Sequence, residues 1–140
     1  MSNWQDPAAV ALMLDELETW AVVGLSGDPT RTAYEIARLL QQRGKRIVPI
    51  HPSAPVVLGE QGYASLADVP FGIDVVDVFR RSEAAGAFAD QAVEIGARGV
   101  WLQLGVVDEA ALARTTAAGV AMVMDTCPAI EWRRRGSVGG

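Results

Sequence analysis

Trp20-Ala21-Val22-Val23-Gly24-Leu25-Ser26-Gly27-Asp28-Pro29-Thr30-Arg31 is the stretch on which the fold turns. Its first half is a short apolar run, the composition of a strand covered on both faces, as in a parallel sheet. Its second half is a turn of small and polar residues. Thr32-Ala33-Tyr34-Glu35 then has the spacing of a capping box. Ala33, Ile36, Ala37 and Leu40 recur at helical period up to Gly44, a residue suited to the left-handed turn that ends a helix. Arg46-Ile47-Val48-Pro49-Ile50 reads as a second strand, with Pro49 withholding one ladder donor and leaving part of one side unpaired. Strand, helix and strand within about 30 residues make one βαβ unit.

The same alternation runs on in both directions. Asp74-Val75-Val76-Asp77-Val78-Phe79 is a strand, followed by a helix with Ser82 as its cap and Ala85, Phe88, Ala89 and Ala92 on one face before Gly96. Gly99-Val100-Trp101-Leu102-Gln103-Leu104 is the next strand, Asp108 caps a helix ending at Gly119, and Val120-Ala121-Met122-Val123-Met124 is the last. Upstream, Pro7 to Leu17 has helical spacing with Asp6 as its cap. The Pro- and Gly-rich segment from Pro52 to Phe71 has room for one short strand, near Val56-Val57-Leu58 or Gly62-Tyr63, and a helical turn from Ser65. Parallel strands need crossovers, and those are overwhelmingly right-handed. The expectation is therefore a three-layer α/β fold, a Rossmann-like doubly wound parallel sheet of five to six strands with helices on both faces. Residues 1–135 read as one domain and 136–140 as a loose tail.

Composition narrows the function classes. With 140 residues, half of them hydrophobic, the chain suits one domain with a real core. No apolar run approaches the roughly 18 residues of a membrane span, and Met1-Ser2-Asn3-Trp4-Gln5-Asp6-Pro7 lacks the regions of a signal peptide. A cytoplasmic protein without a membrane segment is expected. One cysteine and one histidine exclude an intrachain disulfide and a Cys/His zinc site of the usual kind. A net charge of −5 supplies no basic field for nucleic acid, and Arg133-Arg134-Arg135 reads as a solvated run.

Ligands of open parallel sheets bind beyond the strand C-termini, where the strand order reverses. After the first strand, Gly24 allows a tight turn, Ser26 carries a hydroxyl, Arg31 a charge, and the following helix begins with unpaired amides that suit phosphate oxygens. An ordinary βα loop with a surface arginine fits the same residues. Aligned on Gly24, the turn departs from Gly-x-Gly-x-x-Gly at Ser26 and Pro29. The second strand ends in His51-Pro52 rather than in the carboxylate that holds adenosine ribose hydroxyls in NAD sites. A phosphorylated ribose suits His51 better than it suits a carboxylate. Phe79 can flank a ring or an apolar arm, Arg80 or Arg81 can meet phosphate, and the Gln103 amide beside Gly105 can bond a polar edge.

Read in order, several blocks resemble the small bacterial and archaeal CoA-binding domain proteins, related in fold to the nucleotide-binding domain of the succinyl-CoA synthetase alpha subunit. The blocks are Gly24-Leu25-Ser26 with Pro29 and Arg31, Val57-Leu58-Gly59-Glu60, Tyr63-Ala64-Ser65-Leu66, Asp74 through Glu83, and Trp101 through Val106. The likeness spans Trp20 to Trp132. It implies coenzyme A or an acyl-CoA as ligand, with the pyrophosphate over Gly24, Ser26 and Arg31. The adenosine end would then lie near His51, Pro52 and Phe79, and the pantetheine would pass Gln103 and Gly105. The chain has His51 where the family usually has asparagine, and Thr126 where it usually has arginine.

The synthetases carry a phosphorylated histidine on a second domain, and no matching histidine stands in this sequence. A non-catalytic binding module with a regulatory or carrier role is the expectation. Two readings of Cys127 stay open: a small buried hydrophobe, or a thiol within reach of the coenzyme's own. Two rivals also stay open. One is an NADP-linked redox sensor or small oxidoreductase, because His51 with Arg31 could accept a 2′-phosphate. The other is an interaction subunit with a vestigial pocket, and Trp4, Trp101 and Trp132 suit a homodimer face as well as a core.

Overall fold

The computed structural model describes residues 4–139, and the side chains up to residue 136. Five strands, β1 (Thr19–Val23), β2 (Arg46–Ile50), β3 (Val75–Val78), β4 (Gly99–Leu102) and β5 (Ala121–Val123), form one sheet in the order β2-β1-β3-β4-β5. All pairs are parallel, and Val23 stands level with both Ile50 and Val78. The α/β reading and its doubly wound parallel sheet hold at the lower strand number. No sixth strand forms in the segment between β2 and β3. It makes only isolated bridges, Ile50 with Tyr63 and Val57 with Glu60, and its Gly62 packs so closely on Pro55 that a Cβ there would lie 2.2 Å from the Pro55 carbonyl oxygen.

Side chains alternate across the pleat and build two cores. Trp20, Val22, Val75 and Trp101 face α1 (Pro7–Ala11), α2 (Thr32–Gln42) and the start of α5 (Pro128–Gly139), meeting Val10, Ile36, Ala37, Leu40 and the half-buried Ala129. Ala21, Val76, Val78, Val100 and Leu102 face α3 (Ser82–Glu94) and α4 (Glu109–Ala117), meeting Ala85, Ala89, Ala92 and Ala111. Alanines on α3 and α4 let those helices lie close on the sheet. Trp101 is fully buried, its ring 5.7 Å from that of Trp20, so it is a core residue and not part of any dimer face.

Three local expectations change. The segment Pro7 to Leu17 is not one α-helix, for α1 passes into a wider π-helical turn over Leu12–Glu16 that drives Met13 into the space above Gly99. Thr32 does not cap α2, since Arg31 occupies the cap and no side chain bonds the first turn. Ser82 does not cap α3 either, because its hydroxyl accepts from the Val107 amide at 3.0 Å and ties down the loop after β4. Asp6 and Asp108 do cap their helices, accepting from Ala9 and Ala111. The last helix runs through Gly139, across most of the stretch read as a tail, and residue 140 lies outside the described residues.

Candidate functional site

The chain leaves β1 toward β2 on one side and returns as β3 on the other, so the helices α2 and α3 diverge and open a crevice above the strand ends. A cleft of about 740 Å³ lies there, within the usual size of small-molecule sites. Gly24, Thr30, Arg31, Thr32 and Ala33 line it from the β1–α2 side, and His51 from the end of β2. Phe79 and Arg80 follow β3, Gln103, Leu104 and Val106 follow β4, and Cys127 precedes α5. Seven of the ten residues singled out from the sequence thus border one space: Gly24, Arg31, His51, Phe79, Arg80, Gln103 and Cys127. Ser26, Pro52 and Gly105 do not line it. The Ser26 hydroxyl accepts from the Asp28 amide at 3.4 Å, Pro52 is exposed, and the Gly105 amide donates to Asp125 Oδ1 at 2.8 Å.

The turn after β1 is built from its own residues. Gly24 has φ of 98°, a conformation that side-chain-bearing residues rarely adopt, and its amide donates to the Ile50 carbonyl at 2.8 Å. Asp28 accepts from the Thr30 amide at 3.0 Å and from the Thr30 hydroxyl at 2.7 Å, and these bonds hold its carboxyl below the ordinary range. The Arg31 amide donates to the Asp28 carbonyl at 3.2 Å. These amides are spoken for. Those of Thr32 and Ala33, in the first turn of α2, donate to no acceptor among the described residues, and both residues border the cleft. The helix mouth thus keeps open amides facing the cleft, with the exposed Arg31 beside it.

His51 Nδ1 accepts from the Ser53 amide at 3.2 Å and lies 2.9 Å from the Ser53 hydroxyl. That bond assigns the ring hydrogen of the neutral form to Nε2, leaving a free donor. Opposite, Leu104 is an exposed large apolar residue, and with Phe79 and Val106 it gives the cleft an apolar wall. Below, Asp125 takes a left-handed backbone, and the Trp101 indole N–H donates to the Thr126 carbonyl at 3.0 Å. The buried Thr126 hydroxyl donates to Glu131 Oε2, which also accepts from Arg134. These bonds frame the half-buried Cys127.

Sequence reading passed over Thr30, Thr32, Ala33, Leu104 and Val106, each within two positions of a site residue it named. It also passed over Asp77, fully buried in the centre of the sheet, with Oδ1 accepting from Gln103 Nε2 at 2.5 Å and Oδ2 without a partner. Burial pushes its carboxyl up to about 8, against the lowering effect of Gln103. A lone acid between valines was the available signal. Among the described residues no group of acidic, histidine or cysteine side chains could hold a metal, and no helix is long and apolar enough to cross a membrane.

A family model described as "CoA binding domain" matches residues 18–133. An uncharacterized Bacillus subtilis protein, YneT, is 35% identical over 120 residues, 86% of this chain and 89% of that one. A hypothetical protein from Pyrococcus horikoshii superposes with a TM-score of 0.84 at 30% identity, covering 91% of this chain and 89% of its own. An acetyl-coenzyme A synthetase from Ca. Korarchaeum cryptofilum shares the fold at a TM-score of 0.71 and 24% identity, over 80% of this chain and 26% of the synthetase chain.

Proposed function

This chain belongs to the CoA-binding domain family, and from that premise we propose that it binds coenzyme A or an acyl-CoA in the cleft above the β1–β3 switch point. The observation that carries the reading is the helix mouth, where the unpartnered amides of Thr32 and Ala33 and the Arg31 side chain border a space of about 740 Å³. A diphosphate accepts from all three and lies at the positive end of the α2 dipole. The Nε2–H of His51 and the Arg80 guanidinium serve the phosphorylated ribose. Phe79, Leu104 and Val106 cover the pantetheine arm, whose amides reach Gln103. In this reading the protein binds without transforming its ligand and acts as a carrier or regulatory subunit.

Calorimetric titration of the stripped protein with CoA and, separately, with NADP tests the reading. CoA binding clearly tighter than NADP binding is the expected result. Tighter NADP binding assigns the cleft to a dinucleotide instead, and no heat with either ligand removes the coenzyme reading altogether.

A further inference from the structure

Gln103 is 4% exposed, yet it borders the cleft. A glutamine amide offers a donor at one end and an acceptor at the other, and which end meets a ligand depends on what holds it from behind. Here the hold is Asp77. Its neighbours across the sheet are Val22 on β1 and Trp101 on β4, so no other polar side chain stands level with it. Gln103 Nε2 donates to Asp77 Oδ1, while Gln103 Oε1 accepts no hydrogen bond among the described residues and, unlike Asp77 Oδ2, is not sealed from solvent. We infer that Asp77 is a positioning residue that turns the Gln103 side chain so that its carbonyl oxygen faces the cleft and accepts an N–H from the bound ligand. The inference rests on the coenzyme reading for the identity of that N–H, an amide of the pantetheine arm, but not for the Asp77–Gln103 pair itself.

A buried carboxyl with one orphaned oxygen costs stability, and replacing it by an apolar residue would relieve that cost. The geometry gives it a use. Released from Asp77, the Gln103 NH₂ would face apolar side chains with no acceptor behind it, so the amide would turn its NH₂ toward the cleft and withdraw the carbonyl oxygen from the ligand.

Two ligands separate this role from a structural one: CoA, and 3′-phosphoadenosine 5′-diphosphate, which keeps the diphosphate and lacks the arm. In Asp77→Leu, CoA should bind about five- to tenfold more weakly, the worth of one hydrogen bond, with the shorter ligand unaffected. Asp77→Asn, which keeps an acceptor, should restore most of the affinity. Gln103→Leu should lose as much as Asp77→Leu, and the double variant no more than either. Unchanged CoA affinity in Asp77→Leu, an equal loss for both ligands, or additive losses would overturn the inference. If Asp77→Leu does not fold, Asp77→Val carries the same comparison. The ligand-free protein supplies an independent arm, since the Gln103 side-chain NH₂ signals in ¹⁵N-labelled protein should be protected from solvent exchange in the wild type and lose that protection in the apolar variant. Protection that survives the loss of Asp77 sinks the inference even if CoA binds. Should the wild type bind neither ligand, the coenzyme reading falls and the NH₂ signals still decide the role of Asp77.

Discussion

At Asp77 the fold carries a fully buried ionisable group with one hydrogen bond. Its carboxyl titrates at about 8 in the folded protein and in the ordinary range near 4 once unfolded, so between those values the native state holds a proton that the unfolded chain has released. The contribution to stability is fully present below the unfolded value and is lost as pH rises to about 8. The unfolding free energy from urea titrations should therefore fall from about pH 4 to about pH 8, by at most about 1.4 kcal/mol per pH unit, and then level off. Asp77→Asn should remove that slope, and an unchanged slope in the variant would place its origin elsewhere. Arg31 belongs to the opposite case, since its side chain is exposed and only its main chain, through its amide and carbonyl, helps to build the turn. Arg31→Ala should weaken CoA binding by about 1–3 kcal/mol in calorimetry while the melting temperature stays put.

Among the elements, the opening helix shows how packing overrides period. Its π-helical turn brings Met13 down on β4, where the Met13 Sδ lies 2.6 Å from the place a Gly99 Cβ would occupy. Gly99→Ala should therefore displace a fully buried methionine and cost about 1–3 kcal/mol by chemical denaturation. An unchanged midpoint would mean that Met13 moves aside freely. Capping expectations divide in a similar way. Asp108 carries the first turn of α4 through the Ala111 amide, and Asp108→Ala should cost about 1 kcal/mol. Thr32 and Ser82 satisfied the capping rule equally well in sequence, but each stands as the first residue of its helix with an arginine at the cap, and the Ser82 hydroxyl is taken by the Val107 amide. Leaving α2 without a side-chain cap is also what keeps the Ala33 amide open to a ligand.

For the molecule as a whole, a ligand that bridges the β1–α2 turn, the end of β2 and the loops after β3 and β4 stabilises all of them together. Saturating CoA, at about one hundred times its dissociation constant, should add about 2.7 kcal/mol to unfolding and raise the melting temperature measurably. Arg31→Ala should show a smaller rise at the same concentration. A flat melting temperature in the wild type would contradict binding in this cleft. The five parallel strands and the helices on both faces were legible in the residues, because apolar runs, stripes at helical period and terminal glycines such as Gly44 and Gly119 are local signals of local backbone preference. So was the rim on which Gly24, Arg31, His51, Phe79 and Gln103 stand, since parallel strands bring all their C-terminal ends to one edge. Tertiary structure alone decided that Pro52 and Gly105 fall outside the cleft, that Trp101 is core, that the Pro- and Gly-rich segment adds no strand, and that Asp77 holds Gln103 from behind. Each of those facts depends on which distant side chain arrives at a given spot, and the pairing of Asp77 with Gln103 joins two strands through a hydrogen bond for which neither segment carries a local sign.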